Sequence, residues 1–344
     1  MNPVAAVHGR RGSFSERWLE QAGRFGFAPR EVDGYSSDVM EQLAGCRVFL
    51  WHLSHDSRRD LEFGRDILRA AEAMGVLTFP NSATCAHFDD KVAQARLLQA
   101  LGAPIPDTWI FFSRDQALRW AEQADFPVVF KLRRGAGSAN VRLVAGQEQA
   151  RRLVGAMFGR GFSPVPRASQ RIRQQRKKSQ GLPSGGALVQ AGARFLRRHL
   201  AQRRDVPRER GYVLFQRFLA GNDHDTRVTV IGDRAFTFRR RVREKDFRAS
   251  GSGLIEHLEP ALIERELVEL AFDLTRRGGF QAMAYDFVRD LESGRPRVVE
   301  ISYVFNPDAI HACSGFFDRG GRWHAGQCWP QDLILEDLAA EVGT

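Results

Sequence analysis

The sequence predicts a mixed α/β protein built from more than one domain. The first eighty or so residues alternate short apolar runs with helical stretches, as a small parallel sheet with covering helices does. Near residue 131 the period changes to strand, glycine loop, strand, with no helix after the glycines. The last third holds two long apolar strands joined by a polar turn. At 344 residues the chain also exceeds the roughly 250 to 300 at which a single core stops growing.

Residues 1–85 read as one α/β domain through VAAVHG, SERWLEQAGRFG, RVFLWHLSH, RRDLEFGRDILRAAEAMG and VLTFP. Trp51, His52, Ser54 and His55 follow a strand, at the end where open α/β sheets bind ligands; a solvated loop is the plainer reading. Residues 86–158 read as two helical stretches between about 90 and 125, DKVAQARLLQALG with a glycine stop and Pro104 and Pro106 beyond it and SRDQALRWAEQA with Ser113 as an N-cap candidate, and then as the glycine hairpin FPVVFKLRRGAGSANVRLV. Residues 159–211 read as a basic, partly mobile insertion with too few apolar residues to bury in its first half. Residues 212–344 read as a C-terminal lobe: GYVLFQRFLAG, a hairpin turning at Gly232 and Asp233, the helix IERELVELAFDLTRRGG, and the strand pair QAMAYDFVRD and RPRVVEISYVF.

Charge separates these regions. The net +10 is local, because fourteen Lys or Arg face two acids between residues 160 and 210, leaving the rest of the chain near neutral. The N-terminal apolar run is too short for a secretory or membrane segment, so a cytoplasmic protein without a membrane span is expected. Cys46, Cys85, Cys313 and Cys328 form no ligand or disulfide pattern.

Three constellations carry chemistry. Lys131 on a strand, followed by Gly135, Gly137 and Ser138, can present an ammonium and backbone N–H groups to phosphate oxygens; taken alone, such a loop is often only a hairpin. It matches neither a Walker loop nor a dinucleotide fingerprint. Asp286 and Glu300 interrupt apolar strands, where acids need partners. A turn centred at residue 293 would set them opposite each other, able to share a Mg²⁺ or to sit on a solvated face. Finally, Gln216 to Gly253 pairs a strand end with Asp225, Arg227 and five further arginines before a small-residue loop. Such positive groups suit phosphoryl chemistry, or a basic surface hairpin.

In this order the pieces resemble the ATP-grasp superfamily, in particular the branch of glutathione synthetase and the ribosomal-protein glutamate ligases. The resemblance runs from about Asn81 to Glu300 and implies an α/β (α+β) ATP-grasp fold with an N-terminal Rossmann-like pre-grasp domain. It also implies that Lys91 and Lys131 contact the ATP phosphates, that Gln216, Arg217, Phe218 and Leu219 line the adenine slot, and that Asp225 lies near the ribose. Arg240 is similar to the arginine that stabilises the γ-phosphate and acyl phosphate, with Arg227 and Arg248 turned to the acceptor carboxylate. Asp286, Glu300 and Ser302 would hold Mg²⁺, or Mn²⁺ in its place. Ser302 and Ser250 stand where family members carry Asn, and Asn306 lies close by.

The activity so implied is ATP- and Mg²⁺-dependent joining of a carboxylate, on a small molecule or peptide, to an amine through an acyl phosphate. The alternatives are a kinase of the same fold acting on a hydroxyl, a non-catalytic ATP-binding protein, and a protein that binds an acidic carrier through the basic arm at 160–210. A homodimer is compatible with the resemblance.

Overall fold

The computed structural model describes residues 2–135, 140–164, 208–243, 249 and 251–343. The chain divides into two compact units: unit 1 is Met1–Phe88, Arg96–Ile105 and Ala220–Thr344, and unit 2 is Asp89–Ala95 and Pro106–Leu219. No helix among the described residues is long and apolar enough to cross a membrane.

Unit 1 opens with β1 (Val4–His8), β2 (Ala28–Val32), β3 (Cys46–Leu50) and β4 (Leu77–Phe79), all parallel in the order β2-β1-β3-β4. β1, β3 and β4 are the runs expected from the sequence as strands; β2, an edge strand whose Pro29, Arg30 and Glu31 are exposed, is not among them. Ala5, Ala6 and Val7 of β1 and Val48, Phe49 and Leu50 of β3 are buried in succession, hence on both faces of the sheet, which explains why these strands read as continuous apolar segments and not as alternating ones. Ser13 caps the helix Phe14–Gln21 by accepting the Ser15 amide.

Unit 2 holds β5 (Thr108–Phe111), β6 (Val128–Lys131), β7 (Val141–Val144) and β8 (Val213–Arg217), antiparallel in the order β5-β8-β6-β7. The helices Lys91–Ala100 and Arg114–Gln123 form where expected, the second capped by Ser113. Between them, past the expected glycine stop and prolines, lies a strand that was not expected: the four residues Thr-Trp-Ile-Phe of β5. The segment is too short to show alternation, but its β-branched and aromatic side chains fit a pleated surface, and Trp109 and Phe111 pack on Trp120 at 5.0 and 5.6 Å between ring centres. Residues 165–207, most of the expected basic insertion, lie outside the described residues.

The second sheet of unit 1 contains β9 (His224–Ile231), β10 (Arg234–Arg241), β11 (Ile255–His257), β12 (Ala282–Arg289), β13 (Pro296–Ser302), β14 (Gly315–Asp318) and β15 (Trp323–Ala325). Its order is β13-β12-β9-β10-β14-β15, with β11 also on β10. The β9–β10 turn is Gly232-Asp233, where Gly232 has φ +54, a left-handed conformation that glycine takes without strain. The chain after β13 is built into the core of unit 1. Its final helix, Pro330–Val342, buries Leu335 and Leu338, and Asp332 accepts both Arg17 Nε (2.7 Å) and Nη2 (2.6 Å) from the first helix.

Asp286 does stand opposite Glu300, and a bulge is the reason. Near the turn Phe287 pairs with Val298, but the register shifts between Asp286 and Phe287, so Val299 is an extra residue on β13. Without it, Val299 would face Asp286 and the Glu300 side chain would fall on the opposite face of the sheet.

Candidate active site

Unit 1 gathers its charged residues on one face of four adjacent strands. Arg227 on β9 lies opposite Asp286 on β12, and Arg240 on β10 lies opposite Asp225 on β9. Partners directly across a ladder share a face, as do residues two apart on a strand, so Glu300, Asp286, Arg227, Asp225 and Arg240 line up together. Arg227 donates to Asp286 through Nε (2.7 Å) and Nη2 (2.9 Å), and Arg240 donates to Asp225 through Nε (2.7 Å) and Nη2 (2.6 Å). Arg240 Nη2 also reaches Asp286 Oδ2 at 2.6 Å, which joins the two pairs into one buried, formally neutral quartet.

Burial sets the electrostatics of this quartet. It pushes the Asp286 carboxyl up, but the Arg227 and Arg240 charges outweigh it and hold Asp286 down at about 2. Burial raises the Asp225 carboxyl by more than Arg240 lowers it, Asp286 adding to the rise. Desolvation alone would ease a proton off Arg240, but Asp286 and Asp225 reverse that and keep the guanidinium charged. Asp225, expected near a ribose, accepts the Nε and Nη2 hydrogen bonds of Arg240.

The sequence resemblance implies a divalent cation, and the expected ligands differ in how well they suit one. Both Asp286 oxygens lie on guanidinium groups. The Ser302 hydroxyl closes its own turn, donating to Val304 O (2.9 Å) and accepting from Val304 N (3.2 Å), while Asn306 caps the helix Pro307–His311 through Asp308 N (3.1 Å). The partly exposed Glu300 carboxylate carries no guanidinium among the described residues. No group of three His, Cys, Asp or Glu suited to a metal occurs among the described residues. Of the expected ligands Glu300 is therefore the one suited to Mg²⁺, an ion that commonly takes one or two protein carboxylates and keeps waters and phosphates in its other positions.

Unit 2 gathers the lysines and the start of the glycine loop. Lys131 Nζ donates to Gln216 Oε1 at 2.6 Å, and Gln216 Nε2 donates to Thr108 Oγ1 at 2.9 Å, which ties β6, β8 and β5 together at one end of the sheet. Lys91 Nζ donates to Gly135 O at 2.5 Å. Arg217 closes β8 through its amide on Asp107 O (2.8 Å), and Phe218 and Leu219 follow, partly buried, as the last residues of the unit. The Gly135 amide is bonded to Asp89 Oδ1 at 3.1 Å. Gly137, Ser138, Arg248 and Ser250 lie outside the described residues.

Sequence reasoning missed Glu209. This buried carboxylate accepts Arg133 N (Oε2, 2.9 Å) and Arg134 N (Oε1, 2.9 Å), the two residues that lead into the glycine loop. The signal was countable, because Glu209 is one of only two acids in the arginine-rich stretch 160–210, and an acid there needs a local reason.

At the carboxyl ends of β1 and β3, His52 stacks on Phe14 with ring centres 4.0 Å apart, and its carbonyl accepts Arg10 Nη2 at 2.7 Å. The Trp51 side chain is wholly buried. Burial, helped by the Arg10 charge, lowers the His52 imidazole to about 3. Between that value and the ordinary one near 6.5 the unfolded chain binds a proton that the folded chain does not, so stability should fall as pH drops through this window, by at most about 1.4 kcal/mol per pH unit. Denaturant titrations of wild type and His52→Gln at pH 7 and pH 5 would show it as a smaller pH loss in the variant; equal losses would remove His52 from the account.

No protein-family model matches this sequence, and no curated protein matches it. Solved structures do. A RimK domain ATP-grasp protein from Sphaerobacter thermophilus DSM 20745 superposes with a TM-score of 0.55 at 17% identity, covering 98% of each chain. The ATP-grasp ligase PsnB, complexed with a minimal precursor, gives 0.58 at 15% identity over 100% of each chain. D-alanine–D-alanine ligase from Bacillus anthracis, complexed with ATP, gives 0.52 at 12% identity over 99% of this chain and 97% of that one. The chain therefore has the ATP-grasp fold, as its order of motifs led one to expect. Within that fold it is similar along its whole length to structures described as ligases.

Proposed function

We propose that this protein is an ATP- and Mg²⁺-dependent ligase that joins a carboxylate to an amine through an acyl phosphate. The observation that carries the reading is the buried quartet with Glu300 beside it: two guanidinium groups fixed by two carboxylates, next to a carboxylate left for a cation, on a fold shared with ligases. Phosphoryl transfer asks a protein mainly for positioning and for positive charge fixed in advance. Mg²⁺, when bound, would neutralise phosphate oxygens beside Glu300.

In this mechanism Lys131 and Lys91 hold the nucleotide phosphates, and the strand-end segment from Gln216 to Leu219 receives the adenine. A carboxylate oxygen of the substrate attacks the γ-phosphorus, the bond to the β-phosphate oxygen breaks, and ADP leaves. Arg240 balances charge on the transferring phosphoryl, and Arg227 orients the carboxylate. The amine then attacks the acyl carbon, the carbon–oxygen bond to phosphate breaks, inorganic phosphate leaves, and the amine proton is lost to solvent or phosphate.

Asp225 and Asp286 hold their arginines in place, so no reorganisation is needed at the moment of transfer. PsnB is described with a precursor peptide, which supports including peptides among the carboxylate substrates. The reading is tested by measuring ADP and free phosphate with pooled carboxylic acids, peptides and amines. Equal release of both, dependent on a carboxylate and an amine together, is expected. ADP without free phosphate would replace the ligase by a kinase of this fold.

A further inference from the structure

Three consecutive backbone N–H groups at the entry to the glycine loop are each bound by a carboxylate from elsewhere in unit 2. Arg133 N meets Glu209 Oε2 (2.9 Å) and Tyr212 Oη (2.6 Å), Arg134 N meets Glu209 Oε1 (2.9 Å), and Gly135 N meets Asp89 Oδ1 (3.1 Å). The Tyr212 hydroxyl in turn donates to Glu209. Successive N–H groups pointing the same way form a concavity that attracts anions, and here two side-chain carboxylates occupy it. The carbonyls are held as well: Lys91 N donates to Arg133 O (2.9 Å), Asn140 Nδ2 to Arg134 O (3.0 Å) and Lys91 Nζ to Gly135 O (2.5 Å).

Every backbone polar group from Arg133 to Gly135 thus has a fixed partner, so this segment is held in place as it leaves β6. Glu209 is itself anchored, since its backbone exchanges two hydrogen bonds with Phe162 (3.0 and 2.8 Å). The Glu209 carboxylate accepts from the two amides on separate oxygens; an amide side chain of the same shape offers one acceptor oxygen and would set its NH₂ against one of the two N–H groups.

We propose that Glu209 and Asp89 are positioning residues for the phosphate loop. By binding the amides of residues 133–135 they fix the segment that joins Lys131 to the Lys91 contacts at Arg133 O and Gly135 O, without touching the nucleotide themselves. The inference rests on the ATP-binding reading given above. A loop set in advance spends no binding energy on its own ordering, so its release should weaken phosphate-bearing ligands selectively.

The test is the dissociation constant of Mg-ADP and of adenosine, measured by calorimetry on wild type, Glu209→Gln and Asp89→Asn, with thermal melting alongside. Glu209→Gln should weaken Mg-ADP about tenfold, the scale of one charge-assisted hydrogen bond exchanged for a buried mismatch, and Asp89→Asn by less. Adenosine, which has no phosphate for the loop to hold, should bind all of these proteins equally. Unchanged Mg-ADP affinity in both variants would overturn the proposal. Equal loss of Mg-ADP and adenosine would overturn it too, by making Glu209 a residue of general folding. If wild type bound adenosine and Mg-ADP alike or neither at all, the ATP reading itself would fall, and the positioning role with it.

Discussion

Arg240→Ala should lower ATP turnover by at least about 10³-fold and also destabilise unit 1 by about 3–5 kcal/mol. The two effects have one origin. Arg240 bonds Asp225 through two nitrogens and reaches Asp286 with one of them, all three residues being less than 10% exposed. Removing it leaves two buried carboxylates to share Arg227. Arg240→Lys should recover part of the stability, because the charge returns, but little turnover, because an ammonium cannot fork between two carboxylates and a phosphoryl group. Denaturant midpoints and ADP release on the same preparations check both; a wild-type midpoint for Arg240→Ala would mean that the quartet does not bind as the distances imply.

The second large effect is expected at Lys131. Lys131→Ala should abolish ADP formation, by more than about 10²-fold, while leaving folding close to intact, because the side chain sits at a strand end and not in the apolar core of unit 2. Loss of the Gln216 contact should cost about 1 kcal/mol. This contrast separates the two sites: one variant loses turnover with stability kept, the other loses both. An active Lys131→Ala enzyme would remove the nucleotide from this loop.

Much of the fold was legible because it rests on local rules. The βαβα rhythm, the Ser113 cap, the Gly232-Asp233 turn and the last hairpin follow from apolar runs and turn chemistry within a few residues. β5 was not legible, because four residues between a proline and a serine carry no period, and Phe215 on β8 and Trp120 on the next helix decide their state.

The Asp286–Glu300 pairing is an instructive case. The expectation assumed a symmetric turn, whereas the register comes from a bulge at Val299 that compensates a turn centred elsewhere. Asp225 and Glu209 were beyond reach for a different reason. Their partners lie 15 and 75 or 76 residues away in the chain, and only the folded sheet brings a carboxylate to Arg240 or to the Arg133 and Arg134 amides.

Hydroxylamine traps an activated carboxylate without knowledge of the natural amine. Wild type, ATP, Mg²⁺, a pool of carboxylic acids and peptides, and hydroxylamine in place of the amine should yield a hydroxamate in equal amount to ADP, and Lys131→Ala should yield neither. ADP formed from the same pool with no hydroxamate would contradict an acyl phosphate and, with it, the ligase.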